Sequence, residues 1–310
     1  MYKVCVLMST YNGEKYITEQ INSILNQKGV IVSLIIRDDG STDSTTSIIS
    51  KLALEDKRIY LYTGANMGFE HSFMDTITRC GVTDYYAYSD QDDVWNQDRL
   101  FNAIQMIKKE GDIPVLYGSN FYITDSRLNV QRCLYNDKSF AKASKKMMRF
   151  GAFGENMFAC TMIWNNQLQE KLSSHLPCCR LSHDVWTQLL TEYVGGKIIF
   201  DERPTIHHRI HNSNTAGISR NPFLRLKKAI NIYVKNGDSK NCAVNEIAEH
   251  FYEGDSLKEN RPLFHKTFFL VKDYTISPKR KFQLIFSSMF FCKSFFHYFF
   301  DSYLVFINRY

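Results

Sequence analysis

The sequence has no Cys-x-x-Cys spacing, although it contains eight cysteines. Only Cys178 and Cys179 are close neighbours. The spacing therefore offers no sign of a structural zinc site, a redox pair or a disulfide framework, and we expect a reducing cytosolic environment. Internal repeats, low-complexity segments and a long linker rich in proline or glycine are also missing. A chain of 310 residues then suits one sizeable domain with an appendage, or two domains.

Long hydrophobic runs are missing at the N-terminus. The apolar run from Val4 to Met8 ends at Ser9-Thr10, which is too short for a secretory core or a spanning helix. We interpret it as a buried strand and expect no export by an N-terminal signal.

A large excess of charge is missing as well, since 38 Lys and Arg face 32 Asp and Glu. That balance does not indicate a nucleic-acid partner.

The first hundred residues alternate between two periodicities. Continuous apolar runs predict strands at 4–8, 30–36, 59–62 and 85–88, and helical spacing predicts helices over 16–26, around 48–52 and over 69–80. A further helix to about Lys109 and a strand at Val115 to Tyr117 follow. This alternation predicts an α/β fold with a mostly parallel sheet flanked by helices.

Polar residues follow each predicted strand. These are the loop Thr10 to Asn12, the pair Asp38-Asp39, Asn66 and the segment Asp90 to Asp93. In open α/β sheets the ligand crevice lies beyond the carboxyl ends of the strands, so we expect these segments to face one cleft.

The segment from Asp90 to Asp93 holds three carboxylates in four residues. Like charges this close repel, and a hard cation such as Mg²⁺ or Mn²⁺ would remove that repulsion. The alternative is a solvated acidic turn, but the position directly after a strand favours a metal site. The second acidic segment runs from Asp38 to Asp43. Its Asp39 could accept a hydrogen bond from a nucleobase or ribose, whereas Ser41 or Thr42 is predicted to cap the next helix.

Together these segments resemble glycosyltransferase family 2, and most closely its bacterial rhamnosyltransferase-like branch, which builds surface polysaccharides. The resemblance covers about residues 2–215 and rests on five segments in the family's order: Ser9 to Gly13, Asp38 to Asp43, Asn66 to Gly68, Ser89 to Trp95 and Asp98 to Leu100. It implies a GT-A fold over residues 1–218, with a nucleotide-sugar-binding half (1–100) and an acceptor-binding half (101–218). Residues 219–310 would form a helical C-terminal region.

The resemblance also implies roles for individual residues. Thr10, Tyr11, Asn12 and Asp39 would hold the nucleotide, Asn66 would line the donor pocket, Asp92 would bind Mn²⁺ or Mg²⁺ directly, and Asp90 would approach the ribose or the metal. Asp184, in the segment Leu181 to Trp186, matches the acceptor-side carboxylate, which is the general base in inverting members. The alternative for Asp184 is a helix N-cap, and His183 is interpreted as structural.

The histidine-rich segment from His207 lies near another family motif. There His211 would contact the diphosphate or the metal, or else would have a hydrogen-bonded structural role, and Arg209 could offset phosphate charge. A zinc site at these histidines would need further ligands, and no cysteine pattern supports one. Cys160 lies in a segment expected near the acceptor, and we do not interpret it as a nucleophile.

The C-terminal region is rich in aromatic residues, with twelve between Phe282 and Tyr310, and Lys279-Arg280-Lys281 precedes them. Polar interruptions argue against a spanning helix. We favour an interfacial helix on the inner face of the plasma membrane, attracted by anionic lipid. The alternative is a helix that packs on the catalytic domain or on a second subunit.

These observations predict an inverting, metal-dependent glycosyltransferase. It would use a nucleotide-diphosphate sugar donor and a lipid-linked glycan acceptor in O-antigen or capsule biosynthesis. The alternatives are a non-catalytic nucleotide- or carbohydrate-binding module and a sugar nucleotidyltransferase. The latter would normally carry a glycine-rich phosphate loop near its start, whereas the loop Ser9 to Gly13 has one glycine.

Overall fold

The computed structural model describes residues 1–178, 181–211, 239–291, 302–306 and 310. The chain forms two compact units. The first comprises Met1–Lys138, Met157–Leu176 and Gly196–His211, and the second comprises Ser139–Asn156, Pro177–Gly195 and Asn212–Tyr310. The predicted boundary at residue 218 lies outside the described residues.

The first unit contains a nine-stranded sheet. Its strands are β1 Tyr2–Thr10, β2 Val30–Asp38, β3 Ile59–Thr63, β4 Tyr85–Ser89, β5 Val94–Trp95, β6 Val115–Thr124, β7 Val130–Cys133, β8 Ile163–Asn165 and β9 Lys197–Arg209. They lie in the order β3-β2-β1-β4-β8-β6-β9-β5, and β7 pairs with β6. Most of the paired residues are parallel, in β1 with β2 and β4, β2 with β3, and β6 with β9. The predicted α/β fold with a mostly parallel sheet is confirmed.

The helices of the first unit are α1 Ile17–Leu25, α2 Thr45–Glu55, α3 Phe69–Arg79, α4 Arg99–Ile107 and α6 Asn166–Ser174. The apolar spacing explains their burial. In α1, for example, Ile17, Ile21 and Ile24 lie on one face and are fully buried. Burial of such a face against the sheet supplies most of the stability of a short helix.

The second unit is helical in its described residues, as predicted for the C-terminal region. Its helices are α5 Asp137–Phe150 (whose first two residues belong to the other unit), α7 His183–Tyr193, α8 Ser239–His250, α9 Leu257–Asn260, α10 Pro262–Asp273, α11 Pro278–Ile285 and α12 Ser288–Phe291. Aromatic side chains form its core, where Phe153, Phe264 and Phe268 contact one another and Tyr193 stacks on Phe268 at 4.6 Å between centroids. Among the described residues no helix is long and apolar enough to cross a bilayer.

Candidate active site

The carboxyl ends of β1, β2 and β4 lie side by side. Thr10 pairs with Asp38 across the first two strands, and Met8 pairs with Ser89 across β1 and β4. The buried hydroxyl of Thr10 donates to Asp38 Oδ2 at 3.0 Å. The loops that follow these strands are therefore neighbours, and three of the four segments expected at the cleft start from one edge of the sheet.

The loop after β1 is joined to the loop after β2 through Asn12. Its backbone has a φ of 50°, and its N–H donates to the Ser41 hydroxyl at 2.9 Å. Its side-chain oxygen accepts from the Thr42 N–H at 2.8 Å. The predicted cap is wrong, because α2 begins at Thr45 and Ser41 instead donates to Asp38. The polar residues of this loop are used to connect two loops rather than to start a helix.

Asp39 is buried and holds the segment that contains Asn66. Its carboxylate accepts from the Arg37 guanidinium and from the N–H groups of Met67 at 2.9 Å and Gly68 at 3.0 Å. Arg37 is itself only 2% exposed. The carboxylate thus fixes the loop between β3 and α3, and the Asn66 side chain lies exposed beside it.

Gln91 is a site residue that the sequence analysis missed. Its side-chain amide accepts from the Tyr11 N–H at 3.0 Å and donates to the Tyr11 carbonyl at 3.1 Å. A Cβ added at Gly13 would lie 2.3 Å from Gln91 Oε1, so a larger residue there would require the Gln91 side chain to move. This pair joins the acidic segment to the loop after β1 and leaves the Tyr11 ring half exposed. Gly13 was the only sequence signal for it.

The three carboxylates of the acidic segment lie in different environments. Asp90 is half-buried, Asp92 is 8% exposed and Asp93 is fully buried. Asp92 Oδ2 lies 2.8 Å from His211 Nε2, and the His211 ring packs against Tyr16. The structure therefore brings together two residues that the sequence analysis assigned to the metal and the diphosphate, although 119 positions separate them.

Asp93 forms a buried pair below this point. Its Oδ1 lies 2.9 Å from His208 Nδ1 and accepts from the Arg209 N–H at 3.3 Å. Burial alone would lower the pKa of His208, but the carboxylate of Asp93, with smaller effects from Asp90 and Asp92, raises it to about 9. His208 is therefore a cation at neutral pH, and this pair holds β9 against the acidic segment.

Arg209 is a buried residue that contacts the acidic segment. It is 3% exposed, and its guanidinium donates to the Asp92 carbonyl at 2.9 Å, the Ser126 carbonyl at 2.9 Å and Glu19 at 2.6 Å. Three of its five N–H donors are thus used within the protein, and it fixes the backbone of Asp92. Its expected role in offsetting phosphate charge stays a prediction.

The residues present fit a divalent cation at the exposed side of the acidic segment. Carboxylates and an imidazole suit Mn²⁺, and carboxylates suit Mg²⁺. Asp92 and His211 place two of these groups side by side, and Asp90, two positions earlier, would have to supply a third; all three lie closer to solvent than Asp93 does. A cation that also binds a diphosphate needs open positions, which exposed donors can leave.

A second group of ligand atoms lies deeper. Asp90, Asp93, Cys160 and His208 place one donor atom each within 4.8 Å of one another. No cysteine lies near these histidines in the sequence, but the fold brings Cys160 to His208. This group fits a catalytic cation less well, because Asp93, Cys160 and His208 are all buried and enclosed ligands leave few open positions for a diphosphate. Burial also raises the pKa of the Cys160 thiol. The buried Arg99 guanidinium also donates to the Cys160 carbonyl at 2.8 Å, and its charge opposes a further cation.

The second unit carries Asp184 in the first turn of α7. Ser182 occupies the N-cap position but makes no side-chain cap hydrogen bond, so the Asp184 carboxylate also helps to satisfy the first turn of the helix. Every other residue of α7 is buried, whereas Asp184 is half-buried. Its Oδ1 accepts from the Ser182 hydroxyl and from the Val185 N–H at 2.7 Å. Asp184 is therefore the one residue of α7 that is partly accessible to solvent.

Comparison with known proteins assigns the family. Residues 5–167, which are more than half of the chain, match the model of Glycosyl transferase family 2. The chain belongs to glycosyltransferase family 2. It is therefore a glycosyltransferase, and the resemblance stated from its motifs is confirmed.

Several bacterial relatives of this glycosyltransferase are similar over part of their length. The uncharacterized glycosyltransferase RP339 of Rickettsia prowazekii is 24% identical over 70% of this chain and 67% of its own length. The dTDP-rhamnosyl transferase RfbG of Shigella flexneri is 38% identical over 32% of this chain and 36% of its own length. The β-1,3-glucosyltransferase WfgD of Escherichia coli, which is named for UDP-Glc and a GlcNAc-diphosphoundecaprenol, is 29% identical over 41% of this chain and 49% of its own. The match thus spans only about a third to two thirds of these relatives.

Solved structures share the fold. Staphylococcus aureus TarS (residues 1–349) superposes with a TM-score of 0.56 and 16% identity, over 99% of this chain and 80% of that one. The mannosyltransferase PcManGT of Pyrobaculum calidifontis, solved with GDP-Man and Mn²⁺, gives a TM-score of 0.56 and 15% identity, over 91% and 72%. The α/β architecture of this glycosyltransferase is the GT-A fold, as predicted.

Proposed function

We propose that this glycosyltransferase is inverting and metal-dependent, and that it moves a sugar from a nucleotide diphosphate to a lipid-linked oligosaccharide. The process would be bacterial surface polysaccharide biosynthesis, of the O-antigen or capsule type. The observation that carries the proposal is the contact of Asp92 with His211 at 2.8 Å, beside Asp90 and next to the loops after β1 and β2. The names of RfbG and WfgD support a sugar-nucleotide donor and, for WfgD, an acceptor on a lipid diphosphate.

In this proposal Asp90, Asp92 and His211 would hold Mn²⁺ or Mg²⁺. When bound, the cation would neutralise the negative charge of the departing diphosphate. Arg209 and the Asp93–His208 pair keep Asp92 and its neighbours in place from below. Such support matters because a metal ligand must be held in one geometry to bind well.

The nucleotide would lie on the connected loops. Tyr11 and Asn12 would form one wall, with the half-exposed Tyr11 ring available for stacking, and the buried Thr10 would support this wall through its hydrogen bond to Asp38. Asp39 fixes the opposite loop, on which Asn66 is exposed. Asp39 itself is almost fully engaged, so its role would be to shape this wall and to offer its remaining acceptor capacity to the nucleoside.

Asp184 would act as the general base. An acceptor hydroxyl must lose its proton as it attacks the anomeric carbon from the face opposite the leaving group. A carboxylate within hydrogen-bond reach can accept that proton at a carboxylate oxygen. Inversion follows from this single displacement, which needs no nucleophile on the protein. Asp184 on a buried helix is suited to the role because its position varies little.

The test is donor binding and hydrolysis by the purified chain, across UDP-, dTDP- and GDP-sugars, with Mn²⁺ or with EDTA. We expect one donor to bind only with metal, and Asp92→Asn to weaken binding by at least tenfold, about the effect of losing one charge-assisted contact. Asp112→Asn is the matched control, because Asp112 is an exposed carboxylate in the segment between α4 and β6, outside the five family segments.

Asp184→Asn tests the general base separately from donor binding. We expect it to keep metal-dependent donor binding while transfer to an acceptor falls by a factor of about 10² to 10⁴, the usual contribution of a general base. A folded protein that binds no donor with metal present would instead indicate a non-catalytic module. Equal transfer by Asp184→Asn and wild type would remove Asp184 from the mechanism.

A further inference from the structure

Helix α11 exposes aromatic side chains on one side and buries aliphatic ones on the other. Leu284 and Ile285 are buried, whereas Phe282 and Phe286 are 52% and 60% exposed. The two rings stack on each other with centroids 6.3 Å apart, one helical turn from each other. A pair of rings held together at the surface is an apolar patch rather than two scattered residues, and such patches mark interaction sites.

The helical residues 302–306 extend this patch. Leu304 and Val305 are buried, whereas Tyr303 and Phe306 are 60% and 62% exposed. The Lys281 ammonium donates to the Phe306 carbonyl at 3.0 Å, which places Phe306 beside α11. We name Phe282, Phe286, Tyr303 and Phe306 the C-terminal aromatic face. It lies within the second unit.

The segment that contains α11 and α12 carries charge of one sign. Between Tyr274 and Phe291 the sequence contains three basic residues and no acidic one. Lys279 and Arg280 are exposed in the first turn of α11, which begins with Pro278 after the N-cap Ser277. Cations beside exposed rings suit the surface of a bilayer, where negatively charged headgroups lie over an apolar interior.

We propose that the C-terminal aromatic face, with Lys279 and Arg280, docks on an anionic lipid bilayer. The rings would enter the boundary between headgroups and acyl chains while the two cations contact lipid phosphates. A second copy of this chain fits less well, since a symmetric contact through the same face would bring like charges together. This contact deepens the proposed function, because it would place the enzyme where a lipid-linked acceptor lies, yet it does not depend on donor chemistry.

The experiment is flotation of the full chain with vesicles of phosphatidylcholine alone or mixed with phosphatidylglycerol. We expect binding only to the mixed vesicles, and weaker binding as salt increases. Lys279→Gln with Arg280→Gln should reduce the affinity about fivefold for each charge removed. Phe282→Ser with Phe286→Ser should reduce it by at least about tenfold, because partial burial of two rings is lost.

Lys142→Gln with Lys145→Gln is the control, since both are exposed lysines of α5 in the same unit. An equal loss in this control would overturn the assignment, because any basic surface would then suffice. So would unchanged vesicle binding in the Phe282→Ser, Phe286→Ser variant. If that variant instead changes the sedimentation of the free protein, the face belongs to a second copy. Donor binding, measured in parallel, shows whether the variants are folded and tests the proposed function separately.

Discussion

Glu192 lies at the end of α7, and its carboxylate is buried in the second unit. It accepts from the Ala152 N–H at 2.9 Å and pairs with the Arg261 guanidinium at 3.0 Å. Burial raises the pKa of Glu192 to about 7, and these two partners only reduce the effect. The group therefore binds a proton more tightly in the folded chain than in the unfolded chain, where its pKa is 4.5.

The sign of the pH dependence follows from linkage. A raised native pKa contributes stability that is complete below the unfolded value of 4.5 and is lost as pH rises through about 7. Each pKa unit corresponds to about 1.4 kcal/mol, so the loss between about pH 5 and pH 8 is on the order of 2 to 3 kcal/mol. We expect Glu192→Gln to lose this dependence, because an amide keeps a similar shape and does not titrate.

The assay is unfolding by urea at a series of pH values, with the stability of Glu192→Gln subtracted from that of wild type at each pH. Other groups, including His208, titrate equally in both chains and cancel. Amide hydrogen exchange of α7 reports the second unit separately. Glu249→Gln, which changes an exposed carboxylate of α8, is the control. A wild-type minus Glu192→Gln difference that varies by less than about 0.5 kcal/mol over this range would refute the reasoning.

Two further substitutions probe the packing of each unit. Gly151→Ala should destabilise the chain by about 2 to 4 kcal/mol in urea unfolding, because Gly151 has a φ of 58° and an added Cβ would lie 2.1 Å from the Glu192 carboxylate. A loss below about 1 kcal/mol would show that the carboxylate moves aside. Asp39→Asn should cost about 2 to 3 kcal/mol by the same assay, because it removes a buried partner of Arg37 while Asp75 remains. It should also weaken donor binding, since the loop at Met67 and Gly68 loses its charged acceptor; unchanged stability and donor binding would contradict this account.

The sequence predicted best where periodicity is strong. β1 to β4 and α1 to α3 all lie where apolar runs and helical spacing predict them, with ends that differ by a few residues. β1 to β4 pair in parallel. Because a parallel sheet is covered on both faces, the residues of β1 and β4 are buried almost without interruption. The loops that follow them therefore gather at one edge, as expected.

The longest strand was missed for a physical reason. β9 contains Asp201, Glu202, Arg203 and Pro204 in its middle, which interrupts an apolar pattern. The pairing register with β6 shifts between Ser119 and Asn120, opposite this segment, consistent with a proline that cannot donate to the ladder. Because β9 carries His208 and Arg209, their contacts with Asp93 and Asp92 could not be predicted either. Contacts between residues more than a hundred positions apart depend on strand order, which periodicity does not encode.

The Gln91 amide limits which residues can occupy position 13 in the loop after β1. By accepting from and donating to the backbone of Tyr11, this side chain imitates the peptide group of a neighbouring strand. The pairing between the main chains of β1 and β4 ends at Met8 and Ser89, so the Gln91 side chain connects the two segments beyond the last pair of the ladder. A larger residue at position 13 would therefore displace the Gln91 amide and weaken the connection between the loop after β1 and the acidic segment.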